Sequence, residues 1–160
     1  MDLSAFLTAK ITNWESFNLL SGKANIYFEG TYLGESYLDV TTKDTLELSL
    51  GRDKNIVVSR TKKTDFSKKQ VLGGNKRETR TFEISVRNKK QQAINLVIED
   101  QMPVPANNDI KLEDPEKADA MYNTETGKLA WKLDLSPSQE KKWTFGYTIK
   151  YPKDKTVVLE

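Results

Sequence analysis

The sequence predicts an all-β protein: an antiparallel β-sandwich of roughly nine to ten strands, immunoglobulin- or fibronectin-like, with one long projecting hairpin. Three observations predict it. Leu129, Trp131, Leu133 and Leu135 alternate with less apolar neighbours, and after Ser136-Pro137-Ser138 so do Trp143, Phe145, Tyr147, Ile149 and Tyr151. A period of two is that of a strand with one buried face. Turn residues recur at short intervals, and helical periodicity is almost absent.

Leu3–Asn13 reads as an opening strand, being rich in β-favouring residues without a helix cap. Trp14–Leu20 is a connection with room for one helical turn, whose Trp14, Phe17, Leu19 and Leu20 are expected to plug the core. Lys23–Leu38 reads as a hairpin turning at Glu29-Gly30, with Gly34 as a bulge. Asp44–Leu50 is a half-buried strand through Leu46, Leu48 and Leu50, and the composition of Gly51-Arg52-Asp53-Lys54-Asn55 predicts a turn. Ile56–Phe66 and Arg77–Asn88 are long strands joined near Gly73-Gly74-Asn75. Phe82, Ile84 and Val86 face inward, whereas Lys62–Arg80 has almost no apolar alternation and is expected to project as an arm or loosen into a loop. Ala93–Glu99 returns as a strand. Pro103 and Pro105 lack the N–H that a central ladder needs, so Asp100–Ala106 is an extended crossing. Ile110–Leu112 is a short strand, and Asp114-Pro115-Glu116 is placed to begin one helical turn. The 160 residues suit a single domain, 1–160, with no interdomain linker.

Composition excludes several activities. The chain has no cysteine and no histidine. Thiolate nucleophiles, thiolate zinc sites, His-ligated metals and a Ser-His-Asp triad are therefore impossible within it. No window approaches the ~20 apolar residues of a membrane-spanning helix. MDLSAFLTAKITNW does not read as a signal peptide, having no basic region ahead of a long apolar run.

Charge is unevenly spread. Residues 51–92 carry 13 basic and 4 acidic groups, whereas residues 1–50 carry 3 and 7, and residues 93–160 carry 9 and 12. Arg60, Lys62, Lys63, Lys68, Lys69, Lys76, Arg77 and Arg80 gather on the expected hairpin as a candidate contact for an anionic partner such as polysaccharide. The competing reading is that lysines guard a strand edge. Nucleic acid is disfavoured, since aromatics are sparse among the basics and no binding motif is present. Glu113, Asp114, Glu116 and Asp119 form an acidic cluster, and paired carboxylates can hydrolyse glycosides without histidine. Tyr27, Tyr32, Tyr37 and Tyr122 can stack on sugars.

Four ordered stretches carry a family resemblance: SFNLLSGKANIYFEGTYLGES, LELSLGRDKNIVV, IEDQMPVPANNDIKL and TGKLAWKLDLSPSQEKKWTFGYTIKYPKD. Together they resemble the C-terminal domain of the mucoidy-inhibitor-A-like family, a domain of unknown function. The resemblance implies the C-terminal domain of a longer parent with a helical middle section, and an envelope or periplasmic setting. It carries no catalytic residues. Gly51-Arg52-Asp53 resembles that family's Gly-x-Asp turn, with Asp53 closing an Asx turn or serving a ligand loop. Asp100-Gln101-Met102-Pro103 resembles its Asp-Gln-x-Pro crossing, where Asp100 and Gln101 satisfy backbone groups, or Glu99 and Asp100 join Asp109 around calcium. The expectation is a non-catalytic structural or interaction module of a cell-envelope protein. It needs no cofactor, and its partners are other domains of the parent or an envelope protein. A carbohydrate-binding module is the alternative, and a carboxylate-dependent enzyme comes third.

Overall fold

The alternation is realised as eleven strands and no α-helix among the residues described by a computed structural model, namely 2–28, 30–40, 45–64 and 68–157. Glu29, Asp44 and Phe66, which the sequence places at a turn and at two strand ends, lie outside these residues. The described chain forms two compact units, Met1–Ile56 and Val57–Glu160.

The first unit holds β1 (Ser4–Thr12), β2 (Gly22–Phe28), β3 (Thr31–Leu38) and the start of β4 (Thr45–Lys62). β1 pairs with β4, and β2 pairs antiparallel with β3. Trp14–Phe17 forms a single 3-10 turn between residues in the left-handed region, Asn13 and Asn18. Its side chains do not plug a core as expected: none is buried, and Phe17 and Leu20 are exposed. The turn expected at Gly51–Asn55 is also absent, because β4 runs unbroken through it. Gly51 absorbs the irregularity with φ 94°, a value glycine tolerates.

The second unit contains the remainder of β4 with β5 (Lys69–Leu72), β6 (Asn75–Asn88), β7 (Ile94–Gln101), β8 (Lys111–Glu116), β9 (Met121–Tyr122), β10 (Lys128–Leu135) and β11 (Glu140–Pro152). One sheet runs β4-β6-β11-β8 with β5 also on β6, and another runs β7-β10-β9. The core follows from the alternation. Phe82, Ile84 and Val86 of β6, Phe145, Tyr147, Ile149 and Tyr151 of β11, and Leu129, Trp131, Leu133 and Leu135 of β10 are all buried. Each contributes about 1.5–3 kcal/mol by removal from water. Phe82 stacks on Phe145 at 5.3 Å, and Trp131 meets both Trp143 and Phe145 within 5.5 Å.

Two elements differ from expectation. The return limb of the projecting hairpin does not project: Asn75–Arg80 is held in register by β11, from Asn75↔Pro152 to Arg80↔Tyr147, and β5 flanks Asn75–Glu78. Several of its polar side chains find partners inside the fold, as the Thr79–Thr148 hydroxyl pair does at 2.9 Å, although Arg77 Nε and Arg80 Nε are buried without an acceptor among the described residues. Asp114–Glu116 starts no helix and instead completes strand β8. Asp114 takes φ 49° where the β8–β11 register shifts between Gly146 and Thr148. Pro115 is tolerated there because β8 is an edge strand.

Candidate functional site

Along β6 the inward phase that carries Phe82, Ile84 and Val86 continues backward to Arg80 and Glu78. On β4 it reaches Arg60, and on β7 it ends at Asp100. The fold thus places a row of charges on its apolar faces. The Arg60 guanidinium lies 3.7 Å from the Phe82 ring centre and grips Asp100 with two donors, Nε at 2.8 Å and Nη2 at 3.5 Å. The Asp100 side chain is only 2 % exposed, so this pair is an internal one. Glu78 receives Arg80, Lys69 at 3.3 Å and the Tyr151 hydroxyl at 3.3 Å. Burial pushes the Glu78 carboxyl up, but hydrogen bonds and charge from Arg80 and Lys69 prevail and hold it below its ordinary 4.5. Burial likewise pushes the Tyr147 phenol above its ordinary 10.0, against the pull of Arg80 and Arg60.

The remaining candidate cations are mostly engaged as well. Lys63 reaches Glu83 at 3.5 Å, and Lys76 sits over the Tyr151 ring at 5.9 Å. Arg77 holds Glu113 at 2.8 Å and Asp114 at 3.5 Å beside a shallow cleft of about 540 Å³ that Asn75 and Lys150 also line. Among the described residues, Lys62 and Lys68 have no acidic partner. Arg60 and Arg77 draw their carboxylate partners, Asp100, Glu113 and Asp114, from 93–160, whereas Lys63, Lys69 and Arg80 use Glu83 and Glu78 of their own segment.

The loop candidates are engaged with backbone. Asp53 Oδ1 accepts the Asn55 N–H at 3.0 Å, an Asx turn carried within a strand. Asp100 Oδ1 also accepts the Gln101 N–H at 2.7 Å, and Gln101 Nε2 donates to the Thr126 carbonyl at 2.8 Å. The carboxylates weighed for calcium go to three different cations: Glu99 to Lys128, Asp109 to Lys155 and Asp100 to Arg60.

A different surface forms on the β2–β3 ribbon. Its inner face carries Ile26, which is buried, with Ala24, Ser36 and Leu38 half-buried beside it. Its outer face carries Tyr27, Tyr32 and Tyr37, which are 65, 51 and 67 % exposed. Tyr32 and Tyr37 are five residues apart and would face opposite ways on a regular strand. The bulge expected at Gly34 prevents this. The register steps from Ile26↔Gly34 to Tyr27↔Tyr32, leaving Leu33 as the extra residue. Tyr32 then lies 5.3 Å from Tyr27 and donates to Asn25 Oδ1 at 3.4 Å. Lys23, opposite Tyr37, reaches Glu35 at 3.5 Å on the same face. Tyr122 is separate, half-buried under Lys117 at 5.2 Å.

Residues 7–153 match the family described as domain of unknown function DUF4139. The chain belongs to the DUF4139 family. A relative from Caenorhabditis elegans, Protein F37C4.5, is 24 % identical over 174 residues, covering 98 % of this chain and 31 % of its own length. The chain therefore spans about a third of that protein. No solved structure matches it.

Sequence reasoning missed two internal residues of this DUF4139 chain. Glu78 was hidden among its basic neighbours, although its even phase with Phe82 and Ile84 was a signal. Asn88 is fully buried and ties three carbonyls, of Gln92, Leu135 and Ser136, while accepting the Lys90 N–H. It closes strand ends from β6 and β10, and only its phase with Val86 pointed inward.

Proposed function

We propose that this DUF4139 chain is a non-catalytic interaction module of a longer protein, and that it meets its partner through the outer face of the β2–β3 ribbon. One observation carries the reading. Three tyrosines stand in solvent on the same face, Tyr32 brought there by a bulge, while the opposite face already buries Ile26. Large aromatics held outward without a packing role mark contact surfaces. The charged groups support the same reading, since Arg60, Arg80, Glu78 and Asp100 are spent on one another inside the fold.

We read the second unit as a two-layer sandwich of the immunoglobulin or fibronectin kind. Trp131 of β10 meets β11 rings, and Arg60 of β4 reaches Asp100 of β7. A place in the mucoidy-inhibitor-A-like group and an envelope setting rest on the sequence resemblance.

The test is photo-crosslinking in cells. A photoreactive residue placed at Tyr37 or Tyr32 should yield discrete adducts. The same residue at Val97, an exposed position on β7, should not. Adducts that form at Val97 alone, or at none of the three, would overturn the proposal.

A further inference from the structure

The tyrosine face has a chemistry that selects its ligand. Along the ribbon, Tyr37 and the Tyr27–Tyr32 pair are separated by the four residue steps from Lys23 to Tyr27, about 14 Å at ~3.4 Å per residue. Between them lie only hydrogen-bonding groups, the Asn25 amide and the Lys23–Glu35 ion pair. The charges of that pair cancel, so among the described residues the face carries no net charge. Aromatic rings at both ends and donors and acceptors between them make an amphipathic strip. A pyranose chain matches it, with apolar C–H faces for the rings and equatorial hydroxyls for the amide and the ion pair. A polyanion would meet no net positive charge on this face, because its Lys23 ammonium is balanced by Glu35.

From this neutrality and spacing we infer that the outer face of β2–β3 is a glycan platform for a short stretch of neutral oligosaccharide. Tyr37 stacks on one sugar and the tilted Tyr27–Tyr32 pair holds another. Leu33 and Gly34 act as positioning residues, since the bulge they form brings Tyr32 to the face of Tyr37. The inference rests on the interaction-module reading and names the ligand class of its surface.

The experiment titrates the whole protein with cellohexaose, chitohexaose and laminarihexaose, followed by backbone NMR shifts and calorimetry. At least one probe should saturate, with shifts confined to β2 and β3 and affinity nearly constant from low to moderate salt. Tyr37→Ala should weaken binding about tenfold, and the triple change of Tyr27, Tyr32 and Tyr37 to Ser should abolish it. The melting temperature should hardly move in either variant, because all three rings face solvent. The shift map on the unaltered protein decides the matter even if the triple variant folds poorly. Failure of all three probes at millimolar concentration overturns the inference, as does a response mapping to β10 and β11 or one surviving the triple change. Protein adducts at Tyr37 without sugar binding would retire the glycan platform and leave the module standing. No adduct and no sugar binding would retire both.

Discussion

Glu78 shows how a single charge can be internal to a segment that looks like a solvated arm. Its phase on β6 puts it with Phe82 and Ile84, and three partners make that tolerable: Arg80, Lys69 and the Tyr151 hydroxyl. Arg60 and Asp100 follow the same logic, forty residues apart and both in the inward phase of their strands. The alternation was legible for these residues, but their charge argued against burial. What the sequence could not provide was the pairing that neutralises each one, since β4, β6 and β7 meet only in the fold. A pH prediction follows for Glu78. Its folded carboxyl titrates below 4.5, so its contribution to stability is complete above that pH and is lost as pH falls through the lower folded value. Glu78→Gln should therefore cost up to about 3 kcal/mol at neutral pH, leaving Arg80 without its carboxylate. The gap to the unaltered protein should close below pH 4.5 in urea titrations. A gap that is constant or widens in acid would show that the carboxylate is not stabilised by its neighbours.

At the level of elements, the clean alternation of β10 and β11 was readable because each strand has one apolar face and no competing role. β4 and β8 were not. Gly51 and Asp53 have turn chemistry, and Asp114-Pro115 has helix-start chemistry, yet each sits in a strand that neighbouring strands hold in place. Local propensity lost to pairing. Where a turn does need its glycine, the requirement is steric as well as conformational. Gly127, between β9 and β10, has φ 72°, and a Cβ there would lie 2.2 Å from the Met102 carbonyl oxygen. That same loop donates and accepts: Gly127 N–H to Asn123, and Met102 N–H to Gly127. Gly127→Ala should thus lower stability by roughly 2–4 kcal/mol, combining φ strain with displacement of the crossing. Gly74→Ala meets open space and has no positive φ, so it should stay within about 0.5 kcal/mol. Equal midpoints for the two in guanidinium unfolding would show that the Met102 crossing yields easily.

Among the described residues, apolar burial is divided unequally between the two units. Of the buried hydrophobic residues, four lie in Met1–Ile56 (Ala5, Ile26, Leu46 and Ile56) and twelve in Val57–Glu160. The exposed large hydrophobics run the other way, nine in the first unit against five in the second. A two-stranded ribbon with one buried residue has little to hold it closed. The first unit should therefore open at a free energy well below that of global unfolding. Hydrogen exchange should reveal this as amides of β2 and β3 that exchange with little dependence on denaturant, while those of β6, β10 and β11 exchange only with the full unfolding slope. The same asymmetry gives the tyrosine face a thermodynamic signature. A ligand that binds only the closed ribbon stabilises it by RT ln(1 + [L]/Kd), so at a hundredfold excess over Kd it should slow β2–β3 exchange by about two orders of magnitude. Amides of β10, which exchange through global unfolding that also opens the ribbon, should slow by the same factor from a far more protected starting point. Protection of β2 and β3 equal to that of β10 in the free protein would place both in one cooperative unit, and the ribbon would then be a rigid part of the fold that no ligand is needed to close.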